Sequence, residues 1–296
     1  MSINQKPSTT SLTILQPMKY WWLYFLISLT VIIPGTYSLL KYGLKPSIDF
    51  TGGTTIVWQG EIEEESLRQY ALESSIEIRT LSHNNNIWTI STAPIAKDTY
   101  QSYKTKFSNI VELSYDTVGP ALGSELISKT LTAIILAASM ILLYVAYRFK
   151  NIKFGVSAIL AMLHDSLVLL GVFSLIGRYW GVEVDTLFVT ALLTILSFSV
   201  HDTIVVYDRI RELKKKHGYL ENDDIINRAV VETMGRSINN SLTIIFMLLA
   251  MYLLGGETTK WFIFALLIGT ISGTYSSTFT AAPLLIVWDK LAHRVK

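Results

Sequence analysis

Cysteine occurs nowhere in the 296 residues, which excludes disulfides, thiolate chemistry and cysteine-ligated metal centres. The absence is compatible with an oxidising outer compartment. Charge is the second scarcity. Asp, Glu, Lys and Arg make up 16% of the chain, against about 25% in soluble domains. The formal net charge is only +2, so the placement of charges informs more than their sum. Half of the residues are hydrophobic and the mean hydropathy is +0.39. Apolar stretches near the ~20 residues needed to cross a bilayer recur along the chain, as in an integral membrane protein.

Six spans are predicted, over 20–40, 128–147, 154–176, 186–206, 237–254 and 260–288, the last long enough to extend beyond the bilayer. The apolar part of the first is too long for a signal peptide and no small-residue cleavage site follows it, so it reads as a retained anchor. The link between spans two and three carries Arg148, Lys150 and Lys153. The link between spans four and five carries Arg209, Arg211, Lys214, Lys215, Lys216 and Arg228. The opposite links hold only Arg178 with Glu183 and Asp185, and Lys260 with Glu257. The positive-inside rule then places the basic loops, the N-terminal segment 1–19 and the tail 289–296 in the cytoplasm. The bland role of RIRELKKKHGYLENDD is orientation and attraction to anionic lipid headgroups. No basic folded surface or recognition module points to nucleic acid.

One long polar insert, 47–124, is left outside the cytoplasm. GTTIVWQ, SIEIRTL, NIWTIST and IVELSYDTV read as strands. The segments 62–74 and 97–107 read as helices, and Gly52 and 83–86 as turns. The order βαββαβ predicts a small ferredoxin-like α+β domain. At under 80 residues its core is modest, so it leans on a partner or on the membrane helices. The predicted organisation is thus 1–19 cytoplasmic, 20–40 first span, 47–124 external domain, 128–288 five-helix membrane domain and 289–296 tail.

Polar residues inside spans are the functional signal, because an ionised group at mid-bilayer costs ~2.5–3.5 kcal/mol on insertion scales. Span four holds Thr194, Ser197, Ser199, His201, Asp202 and Thr203, and span three holds His164 and Asp165. Arg236, Asn239, Asn240 and Thr243, spaced i, i+3, i+4, i+7, share one face of span five. Asp202 and Arg236 flank the same cytoplasmic loop and are expected to meet at similar depth. A guanidinium holds a carboxylate ionised while burial opposes ionisation, so a change of distance or hydration would move a proton. A static ion pair that fixes helix register is the competing reading. Likewise the His164-Asp165 pair reads as a structural polar network or as part of proton transfer. His201, Thr203, Ser199, Asn239, Asn240 and Thr243 are the candidates for a supporting network. Gly269, Gly273, Ser277 and Ala281 recur every four residues, the spacing of close helix packing. The Ser/Thr groups of SGTYSSTFTAAP suit hydrogen bonds across the bundle or a transient water path. No HExxH occurs, and a metal hydrolase would need three or four convergent ligands that the sequence does not display.

Seven motifs in order give the chain a resemblance to a known family. They are IDFTGGT (Ile48–Thr54), VGPALGSEL (Val118–Leu126), LLYVAYRF (Leu142–Phe149), His164-Asp165, DTIVVYDRIRE (Asp202–Glu212), RSINNSLT (Arg236–Thr243) and IGTISGTYSS (Ile268–Ser277). Over about 48–288 the chain resembles the SecF family, the smaller membrane subunits of the bacterial SecDF export complex. The resemblance implies membership of the resistance-nodulation-division superfamily and a bacterial inner-membrane location. It also implies a SecD partner with a related six-helix half, and cooperation with the SecYEG channel, the SecA motor and the emerging preprotein. The implied activity is proton-motive-force-driven conformational cycling without an enzymatic step or a cofactor. The family's proton-path acid falls on Asp202 and its arginine on Arg236. Ser197, Phe198 and His201 stand where family members usually carry Gly, Tyr and Asn, and AVVETMG lacks an Asn often found before the arginine. A histidine beside the acid suits a response nearer neutral pH. The alternative within the superfamily is a proton-driven exporter of a lipid or small molecule.

Overall fold

The computed structural model describes residues 16–84, 86–107, 109–149 and 151–294. Most of the segment 1–19, Asn85, Lys150 and the end of the tail thus lie outside the described residues. Among the described residues, six helical stretches are long and apolar enough to cross a membrane: Pro17–Tyr42, Pro120–Arg148, Ile152–Trp180, Thr186–Lys216, Asn222–Leu254 and Glu257–Leu291. Within them we number α1 (Trp21–Tyr42), α5 (Pro120–Arg148), α6 (Ile152–Trp180), α7 (Thr186–Lys216), α8 (Asn222–Leu254), α9 (Glu257–Ser276) and α10 (Ala282–Arg294). Between α1 and α5 lie α2 (Ile48–Thr51), β1 (Gly53–Gln59), α3 (Glu64–Glu73), β2 (Ile78–Asn84), β3 (Ile87–Thr92), α4 (Lys97–Lys104) and β4 (Val111–Val118).

Two helices begin well before their expected apolar boundaries. α8 starts at Asn222 rather than 237, and α5 at Pro120 rather than 128. The added turns of α8 are amphipathic: Ile225, Ile226, Ala229 and Val230 are buried against Tyr207, Ile210 and Leu213 of α7, and the outer face carries charge pairs such as Arg228–Glu232 at i, i+4. The last span is not one continuous α-helix. A π-helical turn, Ser277–Ala281, separates α9 from α10. Pro283 lies two residues further on; it lacks an N–H and its ring crowds the carbonyl four residues back, and the wider turn absorbs that mismatch.

The four strands form one antiparallel sheet in the order β2-β3-β1-β4. Each β-α-β passage skips one strand: α3 links β1 to β2 around β3, and α4 links β3 to β4 around β1. The strand boundaries follow side-chain alternation. Ile56 and Trp58 of β1 and Trp88 and Ile90 of β3 are buried with Leu67 and Ala71 of α3 and Tyr100 and Tyr103 of α4. The Trp58 ring stacks on Tyr103 with centroids 5.4 Å apart, and its indole N–H donates to the Tyr100 hydroxyl at 3.2 Å. Each such buried aromatic contributes roughly 1.5–3 kcal/mol.

At the margin of this core, Tyr100 and Lys104 both donate to Glu112 Oε2, each at 2.5 Å. The Lys104 bond, then the Tyr100 bond, holds the Glu112 carboxyl below its ordinary value. Its stabilising contribution is therefore present above the unfolded value of about 4.3 and is lost as pH falls through the lower folded value. Thermal midpoints measured across that acid range should fall less steeply in Glu112→Gln than in the wild type; identical slopes would remove this role.

The two ends of the helix bundle differ. The sheet and the α6–α7 connection share one end, where Thr80 of β2 donates to Glu183 at 2.9 Å. Ion pairs gather at the other: Arg148 with Asp208, Lys153 with Asp289, and Arg209 with Glu212 and Glu232. The start of α1 lies there too, the Met18 amide donating to Asn227 at 3.0 Å. α5 is the outlier of the bundle, with an apolar stretch that no other helix buries.

Candidate functional site

Two carboxylates sit inside the apolar spans, in unlike surroundings. Asp165 of α6 is fully buried. Its Oδ1 accepts from Ser272 Oγ at 2.6 Å and its Oδ2 from Ser199 Oγ at 2.5 Å and Ser276 Oγ at 2.6 Å. His164 Nδ1 lies 3.0 Å from Oδ1, and His164 Nε2 lies 2.9 Å from Ser28 Oγ of α1. With the carboxylate as acceptor, Nδ1 carries the hydrogen and Nε2 accepts from Ser28. Four helices, α1, α6, α7 and α9, therefore converge on one carboxylate and its histidine.

Small residues make that convergence reachable. Ser272 and Ser276 are one turn apart on α9 and point the same way. On that helix a Cβ at Gly273 would lie 3.3 Å from Phe198 and 3.6 Å from the backbone of Ser199, so α9 lies close against α7. Gly269 faces Ile195 in the same seam. Ser277 is buried, and its hydroxyl turns back to the Thr274 carbonyl at 3.1 Å.

Asp202 of α7 is also nearly covered, at 6% exposure, but among the described residues it has a single side-chain donor, Ser237 Oγ of α8 at 2.7 Å. The expected direct meeting with Arg236 is not formed among the described residues. Successive helical side chains are rotated by about 100°, so Ser237 enters the buried face with Thr233 and Ser241 while Arg236 turns outward. Arg236 instead lines a groove of about 630 Å³ with Val205, Asp208, Arg209, Glu212, Glu232 and Thr233. These positions run along facing stretches of α7 and α8, and the groove ends within one turn of Asp202 and Ser237.

The remaining candidates divide. Ser199 belongs to the Asp165 cluster rather than to Asp202. Thr203 is buried, and its hydroxyl has no partner among the described residues. Contrary to the inward placement expected of polar groups in a span, Asn239, Asn240 and Thr243 lie on the outside of α8, and His201 on the outside of α7. Thr243 donates to the Asn239 carbonyl at 2.8 Å. Asn239, Asn240 and Thr243 do share one face, as their spacing requires, but this chain leaves that face uncovered. Sequence reasoning missed Ser237 and Ser28. The first was readable in the buried i, i+4 series Thr233, Ser237, Ser241; Ser28 carried no local signal. Among the described residues no group of three His, Cys, Asp or Glu side chains could hold a metal ion.

Comparison with known proteins bears on this geometry. The family profile described as "Protein export membrane protein SecD/SecF, C-terminal" matches residues 98–291, and the "SecD/SecF GG Motif" matches 37–57. The chain is 41% identical to the protein translocase subunit SecF of Thermobaculum terrenum, over 92% of this chain and 93% of that one. Among solved structures, SecDF of Thermus thermophilus superposes with a TM-score of 0.83 at 31% identity, covering 92% of this chain and 38% of the longer SecDF chain. A SecDF structure in a super-membrane-facing form superposes at 0.66, also at 31% identity, over 95% of this chain and 39% of that one.

Proposed function

The chain belongs to the SecD/SecF family of protein export membrane proteins, and from that premise we propose that it is a proton-driven, non-enzymatic subunit of a SecDF complex. In this reading residues 47–124 form a ferredoxin-like extracytoplasmic domain, and both termini and the basic loops are cytoplasmic. The complex works in the bacterial inner membrane with the SecYEG channel, the SecA motor and the emerging preprotein. The other six-helix half is supplied by SecD, and the uncovered polar face of α8 together with His201 is where it docks. Exposed Asn and Arg side chains within an apolar span are costly in lipid, which favours a protein neighbour over acyl chains.

One observation carries the reading: Asp202 is held by a single hydroxyl, within one helical turn of residues that line a charged groove, whereas Asp165 is saturated and sealed. A carboxylate with one neutral donor can exchange its proton without dismantling the bundle. Arg236, lining the groove nearby, supplies the positive charge that favours release once it approaches. One charge crossing 100 mV yields ~2.3 kcal/mol, so two protons are of the order needed to swing a two-state equilibrium, ~5.5 kcal/mol for 1:99 to 99:1.

The test is preprotein export in vesicles holding the chain with its SecD partner, with and without an imposed proton gradient. Asp202→Asn is expected to lose the gradient-stimulated part tenfold or more while gradient-independent export is unchanged. Full stimulation in the assembled variant would reduce Asp202 to a structural group.

A further inference from the structure

The sheet is fastened to the helix bundle at one compact place. The chain leaving α1 runs extended beside the α6–α7 connection: the Ser47 amide donates to the Val184 carbonyl at 2.8 Å and the Val184 amide to the Lys45 carbonyl at 2.8 Å. Pro46 and Val184 thereby pair as a parallel bridge. Asp49 of α2 then reaches the first residue of α7. Its Oδ2 accepts from the Thr186 amide at 3.1 Å and from the Thr186 hydroxyl at 2.8 Å. Asp185 caps the same helix, accepting from the Phe188 amide at 2.7 Å. Two carboxylates thus face the positive end of the α7 dipole.

Two further bonds extend this contact into the sheet. Thr80 of β2 donates to Glu183, and its neighbour Arg79 donates to the Gly52 carbonyl at 2.7 Å. Beneath the polar layer, Val182, Val184 and Phe188 are buried with Phe173, and Leu44 packs against them. Burial pushes the Glu183 carboxyl above its ordinary value, with Thr80 opposing the shift, as befits a group enclosed between two parts.

α7 is the helix that carries both Asp202 and the Ser199 bond to Asp165. From Thr186 to Asp202 is about 24 Å at 1.5 Å per residue, one rigid helix from the proton site to this contact. The covalent route through α5 is the weaker alternative: its first turns pack on α2 and its last pairs Arg148 with Asp208, but the apolar stretch between them is buried by no other helix.

We propose that residues 45–49, Thr80 and 183–186 form the mechanical joint through which displacement of α7 is passed to the external domain, with Asp49 and Glu183 as positioning residues. The proposal deepens the export reading and rests on it for its biological output, but the joint has a physical readout of its own.

The chain has no native cysteine, so spin labels can be placed at Leu72→Cys on α3 and Tyr179→Cys on α6, both highly exposed. In the assembled complex the distance between them should be single and narrow. Asp49→Ala with Glu183→Ala should broaden it, keep gradient-driven proton uptake within twofold, and lower gradient-stimulated export tenfold or more. Asp49→Asn keeps one oxygen acceptor for Thr186 and should retain export within about threefold. If the double alanine variant does not assemble, Thr186→Val with Thr80→Val removes the same hydroxyl bonds and faces the same criteria. An unbroadened distance overturns the joint whatever happens to export, and so does a parallel loss of proton uptake and export. Broadening in a complex whose wild type shows no gradient-stimulated export would keep the joint and sink the export reading.

Discussion

Asp165→Ala should be the most destabilising single change in the membrane part of this chain, on the order of 3–5 kcal/mol. Four hydrogen bonds to one carboxyl are lost together, each worth about 1 kcal/mol net. The side chain is fully buried, and Ser199, Ser272, Ser276 and His164 all direct hydrogen bonds to its two oxygens. Alanine leaves the serines to turn to carbonyls of their own helices, and it releases the tie between α6, α7 and α9. His164 would keep only Ser28. Asp165→Asn retains one oxygen acceptor, and its amide can donate to a serine hydroxyl, so its cost should be markedly smaller. Denaturant unfolding in detergent or nanodiscs checks both; an alanine variant within 1 kcal/mol of wild type would show that the convergence is incidental.

Gly171→Ala ranks second, because it adds a carbon where two backbones touch. A Cβ at Gly171 of α6 would lie 2.7 Å from the Cα of Gly35 on α1, and a Cβ at Gly35 would lie 2.9 Å from the Cα of Gly171. A flexible neighbour could turn aside, but a backbone cannot, so the helices must separate. Separation weakens Ser38–Ser174, now 2.8 Å, and Ser28–His164 on the same face. The expected cost is about 1–3 kcal/mol, the usual penalty for overpacking. Gly155, on the same α6, has open space around its Cβ position. Gly155→Ala should therefore stabilise, by up to about 1 kcal/mol of helix propensity. Opposite signs at the two positions would confirm the crossing, and equal effects would refute it.

Much of this architecture was legible in the sequence. Six apolar stretches became six candidate spans, and GTTIVWQ is β1 residue for residue. The segments read as strands hold Ile56, Trp58, Trp88 and Ile90, which form the face that α3 and α4 cover. The extension of α8 escaped a hydropathy reading because its buried Ile225, Ile226, Ala229 and Val230 are averaged with charged neighbours, and the π turn before Pro283 leaves no mark on hydropathy. The site was legible in its residue types but not in its pairings. Asp202 and Arg236 were singled out by depth along two antiparallel helices, yet depth does not fix rotation, and rotation brought Ser237 to Asp202. The small-polar face Ser272/Ser276 was visible as unusual polarity; that it serves Asp165 depends on how α9 packs against α7 and α6. The joint at Asp49, Glu183 and Thr186 joins positions more than 130 apart along the chain, and no local pattern announces it.

The central claim is that Asp202, with one hydroxyl partner beside the groove, is the acid that carries the proton, and that Asp165 holds the bundle together. The most direct measurement is gradient-driven proton uptake into vesicles containing the assembled complex, comparing wild type, Asp202→Asn and Asp165→Asn. The expected result is loss of uptake in Asp202→Asn and at least half of wild-type uptake in Asp165→Asn. Retained uptake in Asp202→Asn, or its loss in Asp165→Asn alone, would contradict the assignment.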